Sequence, residues 1–237
     1  MTRRELARVL WLSTLSTAMG GCDSSPTEAS FQETLDIAVC APAAGPFALD
    51  VTNRFFPLAV GSRWVFDGQD EGDVIGLVIT VLPDTEVVAG VATRVLEERE
   101  TVNGDLIEIS RNFFVQAPDG AVCYFGEDVD IYEGGVIVSH DGAWRAGVGG
   151  ALPGIFMPAS PAVGMAFRQE VAPGVAEDRV QIQAVNESTT TPAGTFTATV
   201  RFLETTPLEP GAKSTKVYAR DVGQVVDDVV RLTSRTP

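Results

Sequence analysis

Histidine is almost missing from this chain, whose 237 residues hold one, His140, together with three cysteines. Zinc takes several such ligands, so this inventory argues against a zinc site. No apolar run reaches the ~20 residues that a membrane-spanning helix needs. No window of a dozen residues keeps a 3.6-residue apolar period unbroken by Gly, Pro or alternation, so no helix of note is expected in the mature domain. Basic residues are scarce: 17 Lys and Arg stand against 32 Asp and Glu, a formal net charge of −15. So acidic a surface repels phosphate backbones, which excludes nucleic acid as a partner. The nucleophile elbow G-x-S-x-G is lacking. Ser139-His140-Asp141 cannot form a catalytic triad alone, because adjacent strand residues point to opposite faces, and an exposed turn histidine is expected there.

What is present begins with an address. Arg3, Arg4 and Arg8 precede a short apolar run, Val9 to Met19, which ends in Gly20-Gly21-Cys22. The length fits a signal-peptide core, and small-small-Cys resembles a lipobox, where Cys22 would be acylated and the chain cut before it. Acyl chains contribute ~0.8 kcal/mol per buried CH₂, enough in combination to hold a protein on a bilayer. The reading is therefore a signal peptide over 1–21, a lipidated tether over 22–50 and a β domain over 51–237. It places the protein in a bacterial cell envelope, lipid-anchored and facing the periplasm or the exterior. Loss of residues 1–21 removes three Arg and one Glu, taking the net charge from −15 to −17. An exported chain meets an oxidising compartment, so Cys40 and Cys123 are either a disulfide or two free thiols; sequence gives no distance to decide.

From Asn53 onward the pattern is β. Phe196, Ala198, Val200 and Phe202 share one face of a strand, opposite Thr197, Thr199 and Arg201. Ile107, Ile109, Phe113 and Val115 share another, with Glu108, Ser110 and Asn112 opposite. One apolar and one polar face is the mark of an antiparallel sheet with a wet side. Turn residues such as Asn103-Gly104 and Glu133-Gly134-Gly135 separate the strands. The expected fold is all-β: a single antiparallel meander of about 10–13 strands, curled into a barrel, half-barrel or sandwich. Gly147–Gly164 breaks the rhythm as a long, charge-free, apolar segment. Its Leu152, Ile155, Phe156 and Met157 either cover the open end of the core or form a ligand-gating loop.

Three further groups carry candidate chemistry. Glu127, Asp128 and Asp130 lie in an acidic run that could supply oxygens to calcium, although it lacks the twelve-residue EF-hand pattern; no other cofactor is indicated. A turn at Pro173-Gly174 could bring Arg168 across from Glu177 or Asp178, near Glu170, as a polar site or a structural ion pair. Trp64, just after Gly61, is expected to anchor the core.

Three blocks carry a resemblance: NRFFPLAVGSRWVF at 53–66, CYFGEDVDIYEGG at 123–135, and GAWRAGVGGALPGIFMPASPAVGMAFRQEVAPGVAED at 142–178. They resemble a family of uncharacterised bacterial secreted proteins and lipoproteins, over most of the chain after residue 53. The resemblance implies export and an all-β domain, and no reaction.

The function expected is thus a membrane-anchored, non-enzymatic envelope lipoprotein that binds an apolar or amphiphilic ligand or a protein partner. A hydrolase using carboxylates, Glu127 or Asp128 with Glu170 or Glu177, is the alternative, and a purely structural envelope protein the third. The address is directly testable. Mass spectrometry of the mature protein from its native host should find Cys22 at the N-terminus with acyl mass, and Cys22→Ala should lose that mass and leave the membrane fraction.

Overall fold

Alternating apolar residues and tight turns build hairpins one after another along the chain. The structure, a computed structural model, describes residues 31–237. The expected signal peptide and Cys22 lie outside the described residues. Strands β1 (Arg63–Asp70), β2 (Asp73–Val88), β3 (Val91–Val102), β4 (Asp105–Gln116), β5 (Val122–Glu133) and β6 (Val136–Ser139) run as one meander. Two short strands follow, β7 (Trp144–Arg145) and β8 (Gly154–Met157), both paired with β5. A second meander comprises β9 (Ala166–Arg168), β10 (Arg179–Thr191), β11 (Gly194–Thr205), β12 (Ser214–Ala219), β13 (Gly223–Asp227) and β14 (Val230–Thr236). Antiparallel pairing of β1 with β14 fuses the two meanders into one sheet. Among the described residues there is no α-helix, only 3-10 turns at Ile37–Cys40 and Pro42–Ala44.

The described residues are therefore all-β and antiparallel, as their alternation implies, with fourteen strands. The count exceeds the expected range by one: β8 forms inside the apolar segment and Asp228 at φ 45° separates β13 from β14, while β5 runs unbroken from Val122 to Glu133. The β3–β4 turn shows why the hairpins form. Asn103 and Gly104 both sit at positive φ, 52° and 88°, the conformation a two-residue hairpin demands. The Asn103 side chain also accepts from Val74 N–H at 2.9 Å and donates to Asp73 at 2.7 Å.

No continuous ladder closes the sheet, but its ends curl together. Leu152 N–H donates to Val171 O at 2.9 Å. Gly154 in β8 passes so close to Gln169 that a Cβ there would lie 2.2 Å from the Gln169 carbonyl oxygen. Glycine is required at this seam because two backbones touch. The concave side holds the core. Phe156 of β8 stands at its centre, with ring centroids 4.4 Å from Phe56, 4.8 Å from Phe114, 5.9 Å from Tyr124 and 6.2 Å from Tyr218. Ile155, Phe156 and Met157 are buried and Leu152 is half exposed. The apolar segment is thus a cover packed into the core. Trp64 is buried as expected, its indole N–H donating to Val222 O at 2.8 Å.

The expected tether over 22–50 needs correction from residue 31 on. Thr34 N–H donates to Ala166 O at 2.8 Å, the Arg179 guanidinium lies 5.2 Å from the Phe31 ring, and Phe47 meets Phe125 edge-on at 5.7 Å. Residues 31–50 therefore belong with the sheet. The apolar side chains scattered among their Ala and Pro residues show no period, so nothing in the sequence announced that they pack. Phe31 and Thr34 lie against β10 and β9, Phe47 and Ala48 against β5 and β4, and a disulfide to Cys123 fastens Cys40 to β5, Cα–Cα 5.4 Å. The bridge spans a sequence separation of 83 residues. Replacing both cysteines by alanine should lower the unfolding free energy by about 4–5 kcal/mol on chain-entropy grounds, measured by urea denaturation of the oxidised wild type beside the double variant.

Candidate functional site

Along several strands the concave face changes character part-way. On β3, Leu96 is followed two and four residues on by Glu98 and Glu100, which period-two alternation puts on the same face. Register carries this across the sheet: Glu98 pairs with Ser110 and Glu100 with Glu108 on β4, and Asn112 pairs with Glu127 on β5. The second meander repeats it, with Glu204 two residues after Phe202, Lys216 two before Tyr218, and Asp227 opposite Lys216 in the ladder. One half of the concavity is therefore aromatic and aliphatic, and the other is acidic.

The acidic half opens to solvent as a chamber of about 1370 Å³. Its lining includes Glu108, Glu127, Glu170 and Asp178, all half-buried like Asp73 and Glu209, while Asp105, Glu133 and Asp141 are exposed at its rim. Among the described residues, no Lys, Arg or His lines these walls. Val138, Val175 and Leu208, each about half exposed, border the same mouth. Behind the floor, Lys216 Nζ lies 3.3 Å from Glu204 and 3.9 Å from Asp227. Glu204 is 1% exposed; Ser214 donates to its Oε2 at 3.4 Å, while its Oε1 has no hydrogen-bond partner. The Tyr218 hydroxyl, fully buried beside this group, has none either. Tyr124 donates to Asn112 Oδ1.

Enclosure disfavours the charged form of a carboxylate, and neighbouring negative charge adds to the effect. Glu127 is pushed up to about 8, by burial first and then by the charges of Glu108 and Glu98. Burial brings Glu108 to about 7, and burial with the charge of Glu204 brings Asp178 to about 7. Glu98 reaches about 7 through burial, although Lys216 opposes the rise. Glu100 and Glu170 are held well above the usual carboxylate range by burial, then by Glu108 and Asp178 respectively.

Comparison with protein-family models, with curated proteins and with solved structures finds no match.

The structure sorts the candidate residues of the sequence. Glu127, Glu170 and Asp178 meet in the chamber. Asp128 points to the convex side, where Arg145 grips it at 2.6 and 3.1 Å. Asp130 is held by Arg111 at 3.3 Å and by His140 Nδ1 at 3.0 Å, with the histidine exposed. Glu127 thus faces away from Asp128 and Asp130, so the expected calcium set does not converge, a consequence of strand alternation. Among the described residues, no three His, Cys, Asp or Glu gather as metal ligands. Arg168 stands opposite Arg179 in the ladder and pairs with Glu33 at 2.7 Å. Glu177 instead accepts from Gly174 N–H at 2.8 Å. The expected pairing of Arg168 with Glu177 or Asp178 is therefore absent, because β9 ends at Arg168 and the turn that follows is wider than a two-residue hairpin. None of Leu152, Ile155, Phe156 and Met157 lines the chamber.

Glu98, Glu100, Glu108, Glu204, Lys216, Tyr218 and Asp227 were not singled out from sequence. Their signal was present: each shares strand parity with a core residue or pairs with one that does. The face of β4 expected to be wet, Glu108, Ser110 and Asn112, is the one that looks into the concavity, and Ser110 and Asn112 are buried.

The raised carboxylates set the sign of the pH dependence. Between the ordinary value of 4.5 and about 8, Glu127 binds its proton more tightly in the folded than in the unfolded chain. Its contribution to stability is therefore full at acid pH and falls as pH rises through that window. Glu127→Gln should match wild type at pH 5 and exceed it at pH 8, by roughly 1–2 kcal/mol after allowance for solvent at the chamber. Thermal unfolding at the two pH values reads this as a gain of a few degrees that appears only at pH 8.

Proposed function

We propose that this protein is an envelope lipoprotein, held to a bacterial membrane through Cys22, whose β domain binds a small amphiphilic ligand without transforming it. One observation carries the reading: an open chamber of about 1370 Å³, larger than the usual small-molecule pocket, whose acidic lining includes no basic side chain among the described residues. Uncompensated like charges in a partly desolvated space oppose folding, so a sequence that concentrates them there gains nothing structurally. An occupant accounts for them. Apolar side chains around the mouth suit the hydrocarbon part of such a ligand.

Carboxylate hydrolysis is the second reading, favoured by the meeting of Glu127, Glu170 and Asp178. Acid–base work by paired carboxylates requires their proton affinities to be pushed apart, one staying ionised while the other keeps its proton. Here burial raises Glu108, Glu127, Glu170 and Asp178 together. No basic side chain among the described residues lines the walls to keep one of them ionised, which supports binding over catalysis.

The test is native mass spectrometry of the mature lipidated protein purified from its own envelope in mild detergent. A bound small molecule is expected with wild type and with Asp128→Asn on the convex side, and should be lost from the Glu127→Gln/Glu170→Gln variant. Wild-type protein that is bare in every preparation, and that no envelope extract stabilises against heat, sinks the binding reading.

A further inference from the structure

Resting on that binding reading, we infer that the chamber takes an organic polycation: an amphiphile carrying two or more ammonium groups that neutralise the carboxylates while its hydrocarbon lies along the apolar mouth. The walls specify the sign of the charge. Glu127, Glu170 and Asp178 line the chamber together, and no cationic side chain among the described residues shares it with them. An ammonium within about 4–6 Å of a carboxylate favours its ionised form, and would supply what the fold withholds.

The acidic character continues behind the floor. Glu204, buried behind Asp178, exerts on it the largest effect of any neighbouring charge. Lys216 answers only one of its oxygens; Oε1 is buried and unpartnered, as is the Tyr218 hydroxyl beside it. Neither atom lines the chamber, so this group adds negative field behind the walls rather than a contact for the ligand. Ammonium groups supply up to three donors each and no acceptor, which fits walls made of acceptors.

Size and geometry decide between an organic cation and a metal ion. Calcium needs six to eight oxygens converging at 2.3–2.6 Å. No three carboxyl groups among the described residues gather so closely, and about 1370 Å³ is far more room than an ion fills. A single ammonium would leave most of the charge unanswered, so multiple amines are required. The half-exposed Val138, Val175 and Leu208 at the mouth add the preference for a hydrocarbon spacer.

Isothermal titration of the mature protein with 1,12-diaminododecane, spermine, 1,12-dodecanediol, dodecanedioic acid and calcium chloride separates the outcomes. Both amines should bind, the diaminododecane more tightly, and the diol, the diacid and calcium should not compete. Glu127→Gln and Asp178→Asn should each weaken the amines about tenfold, a step of the size expected for losing one enclosed charge pair. Asp128→Asn, whose carboxylate faces the convex side, should leave them unchanged and guards against a general folding defect. Stronger binding of the diol or diacid, or displacement of the amines by calcium, overturns the polycation while leaving a binding protein. Failure of both amines also overturns it, and the molecule carried by native protein then shows whether the binding reading survives.

Discussion

Like charges sharing a space that water only partly fills repel one another, and in this protein that repulsion organises the rest. A sheet that curls must do something with its concave face. In one half, Phe56, Phe114, Tyr124, Phe156 and Tyr218 interlock and exclude water. In the other, side chains cannot close the space in the same way. Carboxylates brought into contact would oppose one another, so that half remains an open chamber. The division between a filled and an unfilled half follows from residue type along strands that are otherwise continuous.

Holding such a chamber open requires rigid walls, and the walls are secured from outside. Phe47 and Ala48 lie against β5 and β4, and the bridge from Cys40 to Cys123 pins their segment to β5. On the same strand Arg145 joins Asp128 to Glu86 at 2.6 and 2.7 Å and lies 4.7 Å over the Phe113 ring. Arg111 ties Glu97 of β3 to Asp130 of β5 at 3.2 and 3.3 Å. Arg111 and Arg145 are thus spent on the convex surface, where half-exposed pairs contribute modestly, while Lys216 stands behind the concave floor and the buried Arg94 sits opposite Phe114. The chain is short of bases, and none of them lines the chamber among the described residues.

Binding and catalysis make different demands on a group of carboxylates. A binding site can use several in the same protonation state, because each adds attraction for the same ligand. A catalytic pair needs asymmetry, with one carboxyl shielded and its partner kept ionised by a cation or by donors. In the chamber, enclosure raises Glu108, Glu127, Glu170 and Asp178, and no basic side chain among the described residues lines the walls beside them. The lack of a base in that lining, more than any motif, is why binding is the function we propose.

The sequence by itself determined the strands and turns, because alternation and positive-φ residues act over two to four neighbours. Asn103-Gly104 makes its hairpin wherever the hairpin sits, and Phe202 and Glu204 share a face because alternation along a strand is local. It also determined that Ile155, Phe156 and Met157 would avoid water. Tertiary structure alone decided which face of each strand looks inward: the polar face of β4 reads as solvent-exposed until curling turns Glu108 into the chamber. Only the fold brings β3, β4 and β5 to the same space as β11, β12 and β13, some hundred residues apart along the chain. The joining of Cys40 to Cys123, the packing of residues 31–50 and the parting of Glu127 from Asp128 belong to the same class. All are matters of long-range distance and direction, which a linear pattern of residue types does not encode until the sheet has curled.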